Sequence, residues 1–504
     1  MVPTHLSTGC QQVHIVSQVL ASAGSYGVVS QLSRSQHVSR QTLYSWKAKG
    51  RQALEAAFTP RSPQTPHQMD RAVLTLLVEG HASYRGIQTC LAVLLGERIS
   101  LGTITAIVQE AGTRAQGWLE QQGSEQGRVV ALDEQYSSKR GEAYLNVVDV
   151  HSGQVWASWP PVAVDGESWT LALWYLHEQG VSTRGTVSDG GRAIADALHS
   201  AKALSTHQRD VWHVLHLAGQ VQRRVERMVQ EEEARAEVIQ RQEQHRATAG
   251  KQATGRPAKT SVSEQTVLLS RLHRVAEGVQ YLFAYLHSML EIVVLTQQSQ
   301  PRVLCAAERQ GEVETILDLL EDLVQDAPTA LRHEVQKVSK QVRLGLPALL
   351  YFARDLEATQ QAVSDQLGAE AVGLIGWAWQ RRALLGKQLD HLLDGLHPAW
   401  RQPARWLLEA WQRAARASSV VENWHSILRP HLAVHRSLSA GLLALLAVWH
   451  NHRVAPRGVH EGLSPLQRSG MVEPATDWLV ALGYPPVSAM RHLTILKNEE
   501  RFVA

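Results

Sequence analysis

A chain of 504 residues is long enough for about three domains and for a large buried core. Its 44% hydrophobic and 19% charged residues exclude a disordered or fibrous protein, and its three scattered cysteines exclude a disulfide framework. The longest apolar run, residues 440–449, is about half of the ~20 residues that cross a bilayer, and no basic leader precedes an apolar stretch. We expect a cytoplasmic, multidomain globular protein with no membrane partner.

The distribution of charge is more informative than the net charge, which is only +3. Residues 1–60 hold five basic side chains against one glutamate, and residues 398–468 hold nine arginines against three glutamates. Both regions are therefore candidates for contact with phosphate groups.

Three short helical patterns fill the predicted first domain, residues 1–58. They cover residues 11–21, 26–32 and 39–49, and Ser39 is the expected cap of the third. Three such helices with a tight turn predict a helix-turn-helix domain, although plain helical packing has the same pattern. The side chains expected to pack inward are Val38, Leu43 and Trp46. The candidates for DNA contact are Arg40, Gln41, Tyr44 and Lys47.

A second helical unit is predicted at residues 68–122, after a linker with three prolines at residues 59–67. Its helical patterns cover residues 69–79, 83–95 and 100–111. The unit is a second helix-turn-helix candidate with Arg85 on its DNA face, and a role in dimerisation is the alternative.

At residues 126–216 the hydrophobic period changes from helical to extended. Strands are predicted at residues 128–133, 144–149, 154–158, 185–189 and 208–214, with one helix on each side of the fourth. Three strands followed by helix, strand, helix and strand is the order of an RNase H-like core, a mixed sheet flanked by helices.

The remaining chain is predicted to be helical. Residues 217–410 form an all-α insertion, residues 411–470 return to the core as its C-terminal helices, and residues 471–504 are a tail. The predicted fold class is therefore multidomain α and α/β, with N-terminal helix-turn-helix units and an RNase H-like mixed-sheet catalytic core interrupted by an all-α insertion.

Two carboxylates follow strands that are adjacent in such a core. Asp133 and Asp189 lie at the predicted carboxyl ends of their strands, so we expect their side chains to meet at one edge of the sheet. Paired aspartates without cysteine ligands favour a hard cation, Mg²⁺ or Mn²⁺.

A third carboxylate is expected on a helix that covers residues 418–429 and ends at Pro430. Its helical spacing places four polar side chains on one face, which we expect to point inward: Ser419, Glu422, Ser426 and Arg429. Arg429 would clamp a phosphate. Trp424 would stack on an unpaired base or pack in the core. The neighbouring histidines have no persuasive ligand spacing and are expected at the surface or on phosphate: His425, His431, His435, His450 and His452.

These motifs resemble those of a known enzyme family. The pattern is Leu-Asp133, then Val-Ser-Asp189-Gly, then Gln208-Arg-Asp210-Val-Trp-His213, then Glu422-Asn-Trp-His-Ser-Ile-Leu-Arg429. It resembles DDE transposases of bacterial insertion sequences whose RNase H-like core is interrupted by a helical domain. The segment from Gln208 to His213 is similar to their (C/D)xxH signature. The resemblance covers residues 11–470, and the insertion matches only in position and helical character.

The resemblance implies a DNA transposase. Its metal triad would be Asp133, Asp189 and Glu422, which would bind two Mg²⁺ or Mn²⁺ ions. Glu134 and Asp149 are two further carboxylates on the predicted strands, and they are the alternatives to Asp133 as the first metal ligand. The residues expected to support the active site are Asp210, His213, Ser426 and Arg429.

The partners implied by the resemblance are double-stranded DNA, as element ends and as target, and further copies of the chain in a homo-oligomer. The protein would be bacterial and associated with the nucleoid when it is bound to DNA. For Asp210 and His213 a purely structural hydrogen-bonded pair is the alternative.

Three other functions fit parts of the pattern. A DNA-binding regulator would use the helix-turn-helix units and need no divalent metal. An RNase H-fold nuclease would share the acids without joining DNA, and an inactive transposase would keep the triad without turnover.

Overall fold

The computed structural model describes residues 9–22, 27–58, 66–200, 206–249, 261–296, 300–386, 388–458, 460–471 and 477–486. This part of the chain is mostly helical and contains one small mixed sheet of six strands. The chain divides into two compact units, Met1–Asp70 and Arg71–Ala504. These features agree with the predicted combination of α and α/β architecture.

The first unit contains three helices, α1 (Gly9–Ala21), α2 (Val28–Ser35) and α3 (Arg40–Phe58). Its buried core is Ile15, Val19 and Leu43, with Val29, Leu32, Val38 and Trp46 packed against it. The Ser39 hydroxyl accepts the backbone N–H of Thr42 at 3.1 Å, which confirms the predicted cap of the third helix.

The second unit begins with helices that pack directly on the sheet-bearing part of the chain. They are α4 (Pro66–Val78), α5 (Tyr84–Leu94) and α6 (Leu101–Glu120). The backbone of α6 meets that of a later helix, α19 (Ala440–His452), where Gly112 faces Gly441. Residues 71–122 therefore belong to the same compact unit as the sheet.

The sheet has an antiparallel part and a parallel part. Its strands are β1 (Ser124–Tyr136), β2 (Glu142–Asp149), β3 (Val155–Ser158), β4 (Val162–Ala163), β5 (Val181–Ser188) and β6 (Thr206–Arg209). The order is β3-β2-β1-β5-β6, and β4 also pairs with β2. Strands β1, β2 and β3 are antiparallel neighbours, whereas β1, β5 and β6 run parallel.

The last strand is shorter than its sequence pattern predicts. Strand β6 ends at Arg209, and residues 211–214 already belong to a helix, α9 (Val211–Ala249). The carboxylate of Asp210 accepts the backbone N–H of Trp212 at 2.7 Å, a local bond that starts the helix and ends the strand.

Helices cover both faces of the sheet. On one face, α7 (Gly166–Glu178) and α8 (Arg192–Ser200) bury an apolar core with alternate residues of β1 and β2. On the other face lie α18 (Ser419–Val434), α19 and α20 (Pro465–Ser469). The Asn451 side chain bonds both backbone groups of Val155 at 2.8 and 2.9 Å, so α19 completes the hydrogen bonding of edge strand β3.

A helical region separates β6 from α18. It consists of α9, α10 (Val262–Met289), α11 (Ala306–Leu323), α12 (Thr329–Leu349), α13 (Tyr351–Leu367), α14 (Ala369–Gln380), α15 (Arg382–Leu385), α16 (Gln388–Asp394) and α17 (Pro398–Gln412). Its apolar residues share one buried core. Within its described residues the extended pairing is limited to an isolated bridge between Leu295 and Val303. The continuous helix α9 crosses the predicted boundary at residue 216.

The described part of the predicted tail packs on the second unit. Helix α21 (Trp478–Ala481) follows Asp477, which forms an ion pair with Arg71 of α4. Residues 472–476 and 487–504 lie outside the described residues. Among the described helices, none combines the length and the apolar character that a membrane span requires.

The contact between α6 and α19 predicts a sharp difference between two glycines of one helix. A Cβ on Gly112 would lie 2.8 Å from Cα of Gly441, whereas a Cβ on Gly117 would meet no atom within 4 Å. We expect Gly112→Ala to lower the free energy of unfolding by about 1–3 kcal/mol because the backbones must separate. Gly117→Ala should be neutral or stabilising by up to about 1 kcal/mol. Urea unfolding of both variants tests this, and equal stabilities would contradict it.

Candidate active site

The first two acids, Asp133 and Asp189, lie at matching positions along two neighbouring parallel strands. Ala131 of β1 pairs with Val187 of β5, and Asp133 and Asp189 each lie two residues further along. Because side chains alternate along a strand, both carboxylates point to the same side of the sheet. Asp189 directly follows β5, but Asp133 lies inside β1, which continues to Tyr136.

Helix α18 brings a third carboxylate to this edge. Asp133, Glu422 and His425 each offer one potential ligand atom, and these atoms lie within 4.8 Å of one another. Glu422 is in the first turn of α18 with 55% of its side chain exposed, and the helix packs its apolar face on β1 and β2. The structure thus brings together residues that are separated in the chain by the whole helical region.

The environment of Asp133 disfavours a negative charge on its side chain. Burial, together with the nearby negative charges of Asp189, Glu134 and Glu422, raises the pKa of Asp133 to about 7 against the opposing effect of the Glu134 backbone N–H. Burial also raises the pKa of Glu134, whose carboxylate accepts Nε1–H of Trp169 at 2.8 Å. Crowded carboxylates of this kind are relieved by a bound cation.

The buried Asn146 side chain fixes the tautomer of His425. Oδ1 of Asn146 accepts the Nε1–H of Trp424 at 2.9 Å, and its Nδ2 donates to the carbonyl of Tyr144 at 3.1 Å. Since an indole N–H only donates and a carbonyl only accepts, the amide has one orientation. Nδ2 therefore donates to Nε2 of His425 at 3.1 Å.

The proton of a neutral His425 ring must then be on Nδ1. This nitrogen lies 3.8 Å from Glu422 and 4.0 Å from Asp133. Burial lowers the pKa of His425 to about 4, so the ring is neutral at pH 7. A protonated Nδ1 has no free lone pair for a cation, so it is not a metal ligand. The oxygen donors Asp133, Asp189 and Glu422 fit Mg²⁺ or Mn²⁺.

Asp210 connects the segments that carry the second and third acids. Its backbone N–H donates to the carbonyl of Ser188 at 2.7 Å, one residue before Asp189. Its buried carboxylate accepts the Ser418 backbone N–H at 2.9 Å and the Ser418 hydroxyl, at the start of α18. Burial alone would raise the pKa of Asp210, but hydrogen bonds from His213, Ser418 and Trp212 hold that pKa below its ordinary value.

His213 stands beside Asp210 on the first turn of α9. Its Nδ1 lies 3.4 Å from Oδ2 of Asp210, and this contact raises the pKa of His213 against the effect of its burial. The two residues predicted to support the site are thus next to each other, and Asp210 is the one that reaches α18.

The polar face of α18 is exposed, contrary to the expectation that it points inward. Ser419, Glu422, Ser426 and Arg429 share that face, and all four are exposed. Arg429 donates to Glu422 at 2.8 Å, and the Ser426 hydroxyl donates to the carbonyl of Asn423 at 2.6 Å. The helix also continues past Pro430 to Val434 instead of ending there. The inward face is apolar and aromatic because it covers the sheet.

Trp424 lies on this inward face, so the hypothesis that it stacks on an unpaired base is wrong. Its side chain is 0% exposed and its N–H bonds to Asn146. The expectation of surface positions also fails for most of the neighbouring histidines. Those that are buried are His425, His431, His450 and His452.

The predicted DNA-contact residues of α3 lie on its outer side. Arg40, Gln41 and Tyr44 are exposed, with 57% of Tyr44 accessible, and Lys47 is half-buried. In the second unit, Arg85 is exposed in the first turn of α5, after Ser83 caps that helix. These positions permit contact with DNA, which itself stays a prediction.

The sequence analysis missed two residues of the site. His425 follows Glu422 by three positions, so helical spacing alone places it on an adjacent part of the helix surface, and this signal was available. Asn146 pairs with Asp133 across β1 and β2, and that pairing depends on the strand register. No periodic pattern distinguishes Asn146 from other polar strand residues.

Comparison of the sequence with protein-family models gives no match, and comparison with curated proteins gives none either. The assignment of an activity therefore depends on the motifs and on the geometry of the site.

The raised pKa of Asp133 predicts a pH-dependent stability. Without metal, the folded state holds a proton that the unfolded state, with a pKa of about 3.9, releases, so stability is lost as pH rises from about 4 to 7. We expect Asp133→Asn to become more stable than the wild type across this range, by a few kcal/mol above pH 7. Thermal unfolding in chelator from pH 4 to 8 measures this, and a constant difference would refute it. Mg²⁺ should stabilise the wild type more than the variant.

The tautomer of His425 predicts a specific spectroscopic state. We expect its ring ¹⁵N resonances to show a protonated Nδ1 and an unprotonated Nε2 at pH 7, with assignment by comparison with His425→Gln. Adding Mg²⁺ should leave this pattern in place. Loss of the Nδ1 proton on metal addition would identify His425 as a ligand instead.

Proposed function

We propose that this chain is a DDE transposase that cleaves the 3′ ends of its element and transfers them to target DNA. The observation that carries the proposal is that Asp133 of β1 and Glu422 of a distant helix offer ligand atoms within 4.8 Å of each other, while Asp189 follows the adjacent parallel strand at the matching position. This grouping of carboxylates supports a cation site, which a catalytic function would use and a regulator would not need.

The topology of the sheet supports an RNase H-like core. Three antiparallel strands are followed by two parallel strands on the other side of β1, with helices α7 and α8 in the connections. The chain then passes through α9 to α17 and returns as α18 with the third acid. This order agrees with the interrupted core that the motifs resemble.

The site residues have separate roles in the proposed reaction. Two Mg²⁺ or Mn²⁺ ions, when bound by the triad, supply activation of the attacking oxygen and stabilisation of the leaving oxygen. Asp210 holds the start of α18 so that Glu422 stays opposite Asp133. Nδ1 of His425 lies 3.8 Å from Glu422 and 4.0 Å from Asp133, so its ring lines the site beside both carboxylates. Water attacks first, and the freed 3′-hydroxyl then attacks target DNA in line.

The proposed partners follow from the same activity. Double-stranded DNA ends would be recognised by α3, through Arg40, Gln41, Tyr44 and Lys47, and Arg85 would contact DNA from the second unit. A homo-oligomer is required because two ends must be held together. The protein would act in the bacterial cytoplasm, on the nucleoid.

The test uses purified protein with Mg²⁺ or Mn²⁺ and labelled DNA that carries the native flanking ends. We expect end cleavage and joining to a plasmid, and a loss of about 1000-fold or more in Asp189→Asn, because several kcal/mol of metal stabilisation depend on this carboxylate. Asp196→Asn is the control, since Asp196 is exposed on α8 with an ion pair to Arg192.

Each outcome selects one function. Cleavage and joining that vanish only in Asp189→Asn support the transposase. Cleavage without joining would identify a nuclease, and metal-independent binding with no product would identify a regulator or an inactive transposase.

A further inference from the structure

One exposed face of α9 leads away from the candidate active site. Trp212, His216, Gln220, Arg223 and Arg227 are spaced so that they fall within an arc of about 80° on the helix. We call this face the α9 track. It begins two residues after Asp210, where 51% of Trp212 is exposed and its ring stacks on His216 at 4.9 Å between centroids.

The far part of the track forms one wall of a basic groove. A cavity of about 320 Å³ lies between α9 and α12, and it is lined by Gln220, Arg223, Arg224 and Arg227 of α9 and by Lys337 and Gln341 of α12. Four of these side chains are cations, and Glu334 is the one carboxylate among the lining residues. Glu334 forms an ion pair with Arg224.

The other three cations have no carboxylate partner in the described part of the chain. Arg223, Arg227 and Lys337 are exposed, and none of them lies within ion-pair distance of an Asp or Glu there. Elsewhere on α9 the arginines are paired, since Arg235 binds Glu232 and Arg241 binds Glu237. Along α9, the arginines without an ion pair thus line the groove, where an external anion can serve as their partner.

We propose that the groove between α9 and α12 binds the sugar-phosphate backbone of duplex DNA next to the bond that is cut. This inference deepens the proposed function and rests on it. Arginine suits the task because its planar fork contacts phosphate through two N–H groups, and the amides of Gln220 and Gln341 add neutral donors. Acidic residues 231–233 follow the track directly and mark where it stops attracting phosphate.

The length of α9 sets the position of the contacted phosphates. Arg223 and Arg227 lie 12 and 16 residues after the start of α9, which corresponds to about 18 and 24 Å along the helix. Successive phosphates of one strand advance by about 3.4 Å along a duplex. For a duplex that runs along α9, the groove therefore contacts phosphates about five to seven base pairs from the phosphate at the carboxylates.

The test compares binding of a duplex of about 30 base pairs with the native end sequence by wild-type protein and the double variant Arg223→Ala, Arg227→Ala. Titrations contain chelator, so they are independent of catalysis. We expect the variant to bind about 10- to 100-fold more weakly at 0.1 M salt, with a salt slope reduced by about 2. The matched control is Arg235→Ala, Arg241→Ala, which removes the same charge from the same helix outside the groove.

Duplexes shortened on either side of the cleavage position locate the contact. We expect the difference in DNA affinity between the variant and the wild type to disappear when fewer than about five base pairs remain on the side of the cleavage position that faces the groove. A difference that persists for all lengths would overturn the placement, because it would indicate general attraction of polyanions. A variant that binds like the control would overturn the proposal itself.

The two proposals fail separately. If the wild type cuts and joins DNA but the groove variant binds normally, the groove proposal falls and the transposase stands. If the groove variant loses binding but the wild type has no metal-dependent product, the groove binds DNA and the proposed activity falls. Circular dichroism and thermal unfolding of both double variants identify any loss of folding.

Discussion

The candidate site depends on one buried carboxylate, Asp210, which connects the sheet to the helix that carries the third acid. Its N–H continues the pairing of β5 through Ser188, and its carboxylate accepts two hydrogen bonds from Ser418. A buried carboxylate without hydrogen-bond partners is costly. A shift of the start of α18 would remove the two hydrogen bonds from Ser418 and is therefore disfavoured. Asp189 and Glu422 are therefore held in a fixed relation although the helices α8 to α17 separate them in the chain.

The helical region is tied to the sheet at a second point. The Gln208 side chain donates to the carbonyl of Leu349 at 2.9 Å and accepts the N–H of Phe352 at 2.7 Å, so the junction of α12 and α13 is fixed to β6. The start of α9 is bonded to Arg416 near the return of the chain. The entropic cost of closing a connection grows only slowly with its length. The helical region can therefore form a separate core while the positions of the site residues stay fixed.

Sequence reasoning succeeded where a period or a local cap determines the structure. The order of strands and helices placed Asp133 and Asp189 on adjacent strands, and the cap at Ser39 was confirmed. It failed where tertiary packing decides between two faces of one element. The spacing of α18 gives a polar face and an apolar face. The apolar face, with Trp424, packs on the sheet because burial of apolar side chains lowers the free energy, whereas burial of charged side chains raises it. Asn146 was out of reach because its role depends on partners from three separate segments.

The proposed α9 track begins without cations. Two guanidinium groups already lie near the acids, since Arg429 pairs with Glu422 and Arg209 is close enough to Asp189 for their charges to interact. A further guanidinium beside these carboxylates would compete with the divalent cation for them. The first side chains of the track, Trp212 and Gln220 among them, carry no charge, and the arginines begin about 18 Å along α9. That distance is about twice the Debye length at physiological salt, so the arginines attract phosphate without neutralising the acids. In the proposed arrangement, the arginines that hold the DNA backbone lie apart from the acids. The two cations beside the acids are engaged within the protein, Arg429 with Glu422 and Arg209 with the carbonyl of Gln341.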